Sequence, residues 1–427
     1  MRAVLTPWTE IGGEPAEART WRRQAAERMA ADKLPTADDE HWRRTSLDPM
    51  LALLPRLRFD AEPRVAQPSC PVPVFSGFYA IPFVDGRLAT RFAGGEDDTG
   101  VAVTSLRWEL RNTPGFSAAL PNTVNRDERF TLLNHALNDE GASIVVRAGR
   151  CAEAPILLAY CAGAAAVAFA AMTQVVVLEE GASATLVELF DERCASERTL
   201  MNEVRIYLAP GSRLTHHRIA GPSHRSQVLD TLHVEVGNDA EYKQAFLAAP
   251  AQPFRTTQTV RLAGNRAQAR LSAGCVALAG AHVDLRALVV HDGSATHSDQ
   301  RASVVGLEGG KATLNCETEV PAGKTAIHAE QLLRALQLGH QTDLALRPRL
   351  SILSDDVVCR HGATTSAVGS NELHYLRSRG LPEREALACL AEGFLRARLP
   401  GVDSGPVDAL VNQALATLLH GAMGSTA

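Results

Sequence analysis

Five stretches share one pattern: TQVVVLEEGASATLVEL (173–189), NEVRIYLAPGSRLTHHRI (202–219), TLHVEVGNDAEYKQAFL (231–247), TVRLAGNRAQARLSAG (259–274) and LRALVVHDGSATHSDQ (285–300). Each has a run of alternating apolar and polar residues, a turn of small residues around a glycine, and a second alternating run. Alternation at a period of two places the apolar side chains on one face of a strand. The turn glycines Gly181, Gly211, Gly237, Gly264 and Gly293 follow one another at 30, 26, 27 and 29 residues. A strand–turn–strand unit at a near-fixed period predicts a solenoid in which each unit buries its apolar face against the next. A β-sandwich also alternates and turns at regular intervals. The period favours the β-helix.

The 427 residues are enough for two or three domains, or for one long repeat body with end caps. A composition of 45% hydrophobic and 21% charged residues is that of an ordinary globular protein. The net charge of -5 and a pI near 6.3 give no general attraction to nucleic acid or to anionic lipid. The start, MRAVLTPWTE, lacks the apolar run of a secretory signal, which predicts a cytoplasmic protein. Its eight cysteines (Cys70, Cys151, Cys161, Cys194, Cys275, Cys316, Cys359 and Cys389) are then a scattered, reduced set. Residues 154–178 carry no charge over a length that could span a bilayer. Pro155, Gly163, Thr173, Gln174 and the β-branched run at Val175, Val176 and Val177 predict instead two buried strands with a turn between them, and no membrane span.

Outward from the repeat, four regions are expected: helices and a linker at 1–75, a mixed region at 76–142, the β-helix core at 143–350, and a C-terminal segment at 351–427. Residues 14–34 are rich in strong helix formers, with Ala18, Trp21, Ala25 and Met29 at helical spacing. Thr36 and Asp39 have the spacing of a capping box that would open a short second helix through Trp42. A proline-rich linker follows at 61–75, and a helix is predicted over 129–138. Near the end, Ala386, Leu387, Leu390, Phe394 and Leu395 line one helical face before Pro400-Gly401. Val407, Leu410, Val411, Leu415, Leu418 and Leu419 line another. Such helices either cap the open strand edge of a solenoid or present a docking surface.

The stretch richest in chemistry is RPRLSILSDDVVCRHGATTSAVGSNELHYLRSRG (347–380). On a strand, Asp355, Val357, Cys359 and His361 share one face, and Asp356, Val358 and Arg360 the other. Thiolate and imidazole side by side suit iron, zinc or an iron–sulphur cluster. Two ligands do not close a metal site, so the rest come from elsewhere in the chain or from a partner, unless the pair is a buried structural one. Other chemical signals dissolve on inspection. Ala322-Gly323-Lys324-Thr325 ends like a phosphate loop, but Thr318 stands where the first glycine must be, and the flanks read as strand–turn–strand. His216 and His217 are adjacent and face opposite ways on a strand. His291 with His297, and His328 with His340, lack ligand spacing, and Asp284, Asp292 and Asp299 lack a catalytic partner in the sequence. There is no GxSxG elbow or HExxH helix.

The segment DDVVCRHGATTSAVGSNELHYLRSRG resembles the SufB/SufD family of the Suf iron–sulphur cluster assembly machinery, and within it the SufD branch. The residues that carry the resemblance are Asp355-Asp356, Cys359, His361-Gly362-Ala363-Thr364, Tyr375-Leu376 and Ser378-Arg379-Gly380. PRLSI (348–352), LNCETEVPAGKTAIHAEQLL (314–333), PEREALACLAEGF (382–394), FTLLNHAL (130–137), APILL (154–158) and Glu40-His41-Trp42-Arg43 agree more loosely. Members of the SufB branch tend to carry Glu after the histidine and an extra cysteine-rich motif, and neither is present here. Gln331-Leu332-Leu333 departs from the usual Asn-Leu-Leu.

The resemblance implies a right-handed parallel β-helix core between helical N- and C-terminal domains. It further implies a non-ATPase scaffold that pairs with a SufB-like paralogue and docks a SufC-like ATPase, with a homodimer as the form without partners. The family's motif histidine is implicated in cluster assembly at the SufB–SufD interface, which carries over to His361 and, less directly, to Cys359. No cofactor of its own is expected; iron or a nascent iron–sulphur cluster would be shared with the SufB-like chain. Partner docking is expected at Tyr375, Arg379, Leu387, Phe394, Leu410 and Leu415. Two rivals are a β-helix enzyme acting on carbohydrate, disfavoured by 5% aromatic residues and the missing signal, and a structural zinc site within the chain.

Overall fold

The computed structural model describes residues 15–32, 35–36, 38–48, 75–89, 100–120, 129–138, 140–162, 169–191, 197–221, 226–397 and 405–424. The expected linker up to residue 74, Cys70, Gly163, Cys194 and Pro400-Gly401 lie outside the described residues, as do the side chains of Leu418 and Leu419.

Two sheets face each other. In chain order, the strands alternate between them from β4 (Ala142–Val146) through β5 (Ile156–Cys161), β6 (Phe169–Leu178), β7 (Ser183–Asp191), β8 (Arg198–Leu208), β9 (Arg213–Ala220), β10 (Ser226–Val236) and β11 (Glu241–Ala248). The same alternation continues through β12 (Phe254–Leu262), β13 (Gln268–Ala277), β14 (His282–His291), β15 (His297–Gly306), β16 (Lys311–Val320), β17 (Ile327–Gln337), β18 (Asp343–Ile352) and β19 (Val357–Ala367). From β4 onward odd strands belong to a ten-stranded sheet and even strands to a nine-stranded one. From β6 onward each strand pairs in parallel with the strand two before it. This is a flattened parallel β-solenoid, as the repeat predicted.

The expected limits of 143–350 are too narrow at both ends. β1 (Tyr79–Val84) lies parallel to β5, while the short β2 (Arg87–Leu88) and β3 (Val101–Ser105) run antiparallel to β1 and β4 and close the first turn. At the other end the boundary at 350 falls within β18, and the Cys-x-His segment is itself the last strand, β19. The two ends therefore differ. One finishes in strands of two and five residues, whereas the other ends in strands of ten and eleven residues with no neighbour on one edge among the described residues.

Between the sheets the interior is apolar, threaded by aromatic rings from Phe83 through Tyr160, Phe190 and Phe254 to Phe246, with neighbouring centroids 4.8–5.8 Å apart. The turns stack as well. Gly181 N–H donates to Pro210 O, Gly211 N–H to Asn238 O, and Ala295 N–H to Thr325 O at 2.8–2.9 Å. Stacked turns share a left-handed position, at Gly181, Gly211, Asp239, Arg266, Ala295 and then Ala326. The glycine spacing of 26 from Gly211 to Gly237 is thus not the structural period, because Asp239 is the residue equivalent to Gly211 and the paired strands are offset by 28. Ala322–Thr325 is one more of these turns, between β16 and β17, as its flanks predicted.

Each sheet carries a helical layer on its outer face. α1 (Ala16–Asp32), α2 (Leu106–Asn112) and α3 (Arg129–Leu137) bury Trp21, Ala25, Met29, Leu106 and Leu133 against Met201, Val175 and their neighbours on the nine-stranded sheet. Thr36 N–H donates to Asp39 Oδ2 at 2.9 Å, which is half of the expected capping box. The backbone then continues as successive turns held by Trp42 N–H to Asp39 O and Thr45 N–H to Trp42 O, not as a helix. These turns cross the sheet: Arg255 stacks on Trp42, its guanidinium 3.7 Å from the ring centroid, and Arg255 also pairs with Asp284.

On the opposite face, α5 (Glu383–Arg396) and α6 (Pro406–Gly424) bury Ala391, Leu395, Val407, Val411 and Leu415 against Val187, Ile219, Leu247, Val276 and Val305. They cover the face of the ten-stranded sheet; they do not close its edge. No helix among the described residues is long and apolar enough to cross a membrane.

A buried carboxylate ties the N-terminal layer to the solenoid. Glu203 accepts from His135 Nε2 at 2.6 Å, from Arg205 Nε at 2.7 Å and from Thr173 Oγ1 at 3.2 Å. Burial alone would raise its pKa, but His135 and Arg205 outweigh burial and hold the carboxyl well below the usual range. Stability from a depressed carboxyl is present above the unfolded value and is lost as pH falls through and below it. Acidification below about pH 4.5 is therefore expected to loosen this layer, read by the fluorescence of Trp21, which stacks on His135. Glu203→Gln should cost about 2 kcal/mol at neutral pH and flatten the acid response; an unchanged acid response would assign it to another group.

Candidate functional site at the open end of the solenoid

Strand β19 pairs with β17 on one side only, in the register Ala329↔Cys359 and Gln331↔His361. Ala329 and Leu333 point into the core, so Cys359, His361 and Ala363 above them line the mouth of the interior. The expected sharing of a face by Val357, Cys359 and His361 follows from that register; Val358, on the other face, is 48% exposed. Cys359 is half-buried and His361 exposed. Both lie on the inner face of the last rung, at the end where a further turn would stack.

The donor set is incomplete among the described residues. Among the described residues no three His, Cys, Asp or Glu side chains converge as a metal site. Burial raises the pKa of the Cys359 thiol, a tendency only partly offset by the Ala329 backbone hydrogen bond, so at neutral pH it must shed a proton before binding a metal. The His361 imidazole is a ligand without that step once neutral. Of the pair, His361 is the better donor as it stands.

Around this mouth the surface is built for contact. Among the described residues no strand pairs with the outer edges of β18 and β19, and natural sheets seldom leave such long edges uncovered. Leu353, in the turn between them, is 70% exposed, a second exposed apolar residue at this end of the solenoid. Behind the edge of β18, Arg43, Arg347, Arg349, Glu40, Leu346 and Pro348 line an open cavity of about 500 Å³.

The expected docking residues divide. α4 (Ser370–Ser378) buries no side chain; Tyr375 is 57% exposed, with the Arg379 guanidinium 5.3 Å from its ring centroid. Leu387 is half-buried, and Phe394 and Leu410 are half-buried against the helix–sheet core. Arg334 sits 5.2 Å from the Phe394 ring centroid. Leu415 has no exposed surface, because the i, i+4 stripe Val407, Val411, Leu415 packs on the ten-stranded sheet. It holds the helix in place and cannot itself meet a partner.

Several of the other histidines and aspartates have structural partners. His291 is buried, bonded to Thr296 Oγ1 at 2.7 Å and Ser298 Oγ at 2.9 Å. His216 lies inside the solenoid beside Tyr242 OH, at 2.9 Å. His297 and His328 do meet, on adjacent strands with ring centroids 6.3 Å apart, which spacing in the chain did not reveal. Asp284 pairs with Arg255, Asp292 with Arg261 and Asp299 with Arg301.

The sequence reading missed a charge cluster in the interior. Arg218 Nε donates to Glu188 Oε1 at 2.6 Å and its Nη2 to Asp230 Oδ2 at 2.7 Å. Tyr160 OH donates to Glu188 Oε2 at 2.8 Å, Asn202 Nδ2 to Asp230 Oδ1 at 3.0 Å, and Thr256 Oγ1 to Asp230 Oδ2 at 2.6 Å. His216 Nε2 lies 3.0 Å from Glu188 Oε1, outside good hydrogen-bond direction.

Comparison with known proteins gives one consistent answer. The family model for the SUF system FeS cluster assembly SufBD core domain matches residues 160–394. The Escherichia coli iron–sulphur cluster assembly protein SufD is 23% identical over 377 residues, covering 87% of this chain and 86% of that one. A SufBD family protein of Synechocystis is 24% identical over 393 residues, covering 87% and 85%. A SufBD family protein of Mycobacterium tuberculosis is 27% identical over 213 residues, covering 46% and 51%.

Proposed function

Because the chain belongs to the SufBD family of iron–sulphur cluster assembly proteins and is of SufD type, we propose that it acts there as a scaffold subunit without ATPase activity of its own. In this reading the open end of the solenoid pairs with a SufB-like paralogue, and the C-terminal helices dock a SufC-like ATPase. His361, assisted by Cys359, holds iron or the nascent cluster, which is cargo and not a resident cofactor, together with ligands from the SufB-like chain.

The observation that carries this reading is the pairing of an incomplete donor set with an uncovered edge. Two inward-facing donors sit on the last rung, and strands of ten and eleven residues there have no further neighbour among the described residues. A second solenoid stacked end to end would satisfy the edge hydrogen bonds and bring further ligands to the same place. The exposed α4, with Tyr375 and Arg379, is the part of the C-terminal layer still available to an ATPase partner.

Co-expression with SufB-like and SufC-like chains tests the proposal. The expected result is a stable complex whose iron and sulphide content falls at least about tenfold in His361→Ala while the subunits remain associated. Monomeric behaviour of this chain in the presence of both partners would refute the scaffold role. Unchanged iron and sulphide in the variant would refute the ligand role.

A further inference from the structure

We propose that Gln331 orients His361 and fixes its tautomer by accepting one ring N–H, leaving the other ring nitrogen directed to the open end as the metal-binding atom. The inference rests on the ligand role given to His361 above and adds a residue that holds it in position.

The argument starts from the inner column of the ten-stranded sheet. His216, Gln244, Leu271, Gln300, Gln331 and His361 are successive partners in the parallel register. Gln331 is 3% exposed. Its Nε2 donates across the interior to Thr318 Oγ1 at 2.8 Å and to Arg349 O at 3.2 Å. A backbone carbonyl only accepts, so the amino group must face Arg349 and the amide cannot be turned over. That leaves Oε1 on the opposite side, buried and without a hydrogen-bond partner.

Gln300 repeats this arrangement one rung below, with Nε2 bonded to Thr318 Oγ1 at 3.0 Å and Glu317 O at 3.1 Å and its Oε1 also unpartnered. There the next residue in the column is Gln331, whose amino group is already committed. The last rung differs. The next residue is His361, a cross-strand neighbour on the same face, and a neutral imidazole offers one N–H donor and one lone pair. An unpaired acceptor next to an uncommitted donor is a hydrogen bond to be made, and an unsatisfied buried amide oxygen is costly to leave. Histidines that bind metals commonly give their other N–H to such an acceptor, which fixes the ring and raises its basicity.

Proton–nitrogen correlation spectra of the histidine rings in the 15N-labelled full-length chain, at pH about 8, above the usual histidine range, test this without any metal. His361→Ala assigns the signal. The expected result is one tautomer at His361, relaxing to a mixture in Gln331→Leu and restored to one in Gln331→Glu, which keeps an acceptor oxygen. A mixture in the unsubstituted chain would overturn the proposal whether or not the variants fold. So would ring shifts unmoved by Gln331→Leu when its circular dichroism matches the parent. In the co-expressed complex Gln331→Leu should lower iron retention about tenfold and Gln331→Glu should not. Normal iron content in His361→Ala would instead remove the ligand role while leaving the tautomer result standing.

Discussion

Replacing Arg218 by methionine is expected to cost about 3–5 kcal/mol of folding stability, measured by denaturant unfolding followed by circular dichroism. Arg218, Glu188 and Asp230 are all buried between the sheets. Among the described residues the guanidinium is the strong cation that the cluster's contacts bring to the two carboxylates. It also rests between Phe190 and Phe246, 5.6 and 5.7 Å from their ring centroids. Removing it leaves two carboxylates in an apolar interior, each of which loses more than a hydrogen bond. Neutralising all three together, in Glu188→Gln, Arg218→Met and Asp230→Asn combined, should recover most of the loss, since what costs is the uncompensated charge. A single Arg218→Met variant as stable as the parent would show that the cluster relaxes into water.

The pH dependence should change as well. In the parent chain burial pushes both carboxyls up, but Arg218 and His216 hold Glu188 below its usual value, while Asp230, beside the charge of Glu188, stays raised. Their contributions oppose one another on acidification. Without Arg218, burial raises both carboxyls in the folded state. A raised folded value contributes stability that is present at low pH and lost as pH rises through it. The variant should therefore gain stability as pH falls from about 7 towards the unfolded carboxylate range near 4.

Gly264→Ala is expected to have the next largest effect, about 3 kcal/mol or more. Its backbone is not left-handed, so glycine is needed there for space and not for conformation. A Cβ at this position would lie 2.0 Å from Asn238 N and 2.2 Å from Gly237 C, in the backbone of the turn below. The turns are also laced by side chains: Asn265 N–H donates to Asn238 Oδ1 at 2.8 Å and Ser294 N–H to Asn265 Oδ1 at 2.9 Å. Forcing one turn outward breaks bonds to the rungs on both sides, so unfolding should begin at this corner, seen as hydrogen exchange in β12 and β13. By contrast Ala at Gly323, where no atom lies within 4 Å, meets only the cost of its left-handed backbone, a fraction of the Gly264 effect. Equal destabilisation by the two substitutions would remove the steric argument.

The carbohydrate-enzyme rival draws no support from the geometry. The aromatic residues that would form sugar platforms are largely packed inside, and the aspartates that might have lined a groove are paired with arginines. Structural zinc within the chain lacks a third ligand among the described residues.

The chain order of residues by itself determined the solenoid, because alternation and turn spacing are local properties repeated many times. It also put Cys359 and His361 on one face, since two residues apart on a strand leaves no other choice. It could not place Glu188. Polar residues in an alternating strand read as outward, yet Glu188 lies on the same inner face as Leu186 and Phe190, while Val187 and Leu189 face the C-terminal helices. Only the covering of the outer face by α5 and α6 inverts the reading. The same covering turned Leu415 from a docking residue into core. Nor does a linear count align Gly211 with Asp239; that needs the register of β9 with β11. Above all, it was the tertiary structure that showed β19 to be the last rung, open on one side, with Gln331 beneath His361. Whether a strand is an edge depends on which strands exist elsewhere, and on this protein the edge is where the ligands stand.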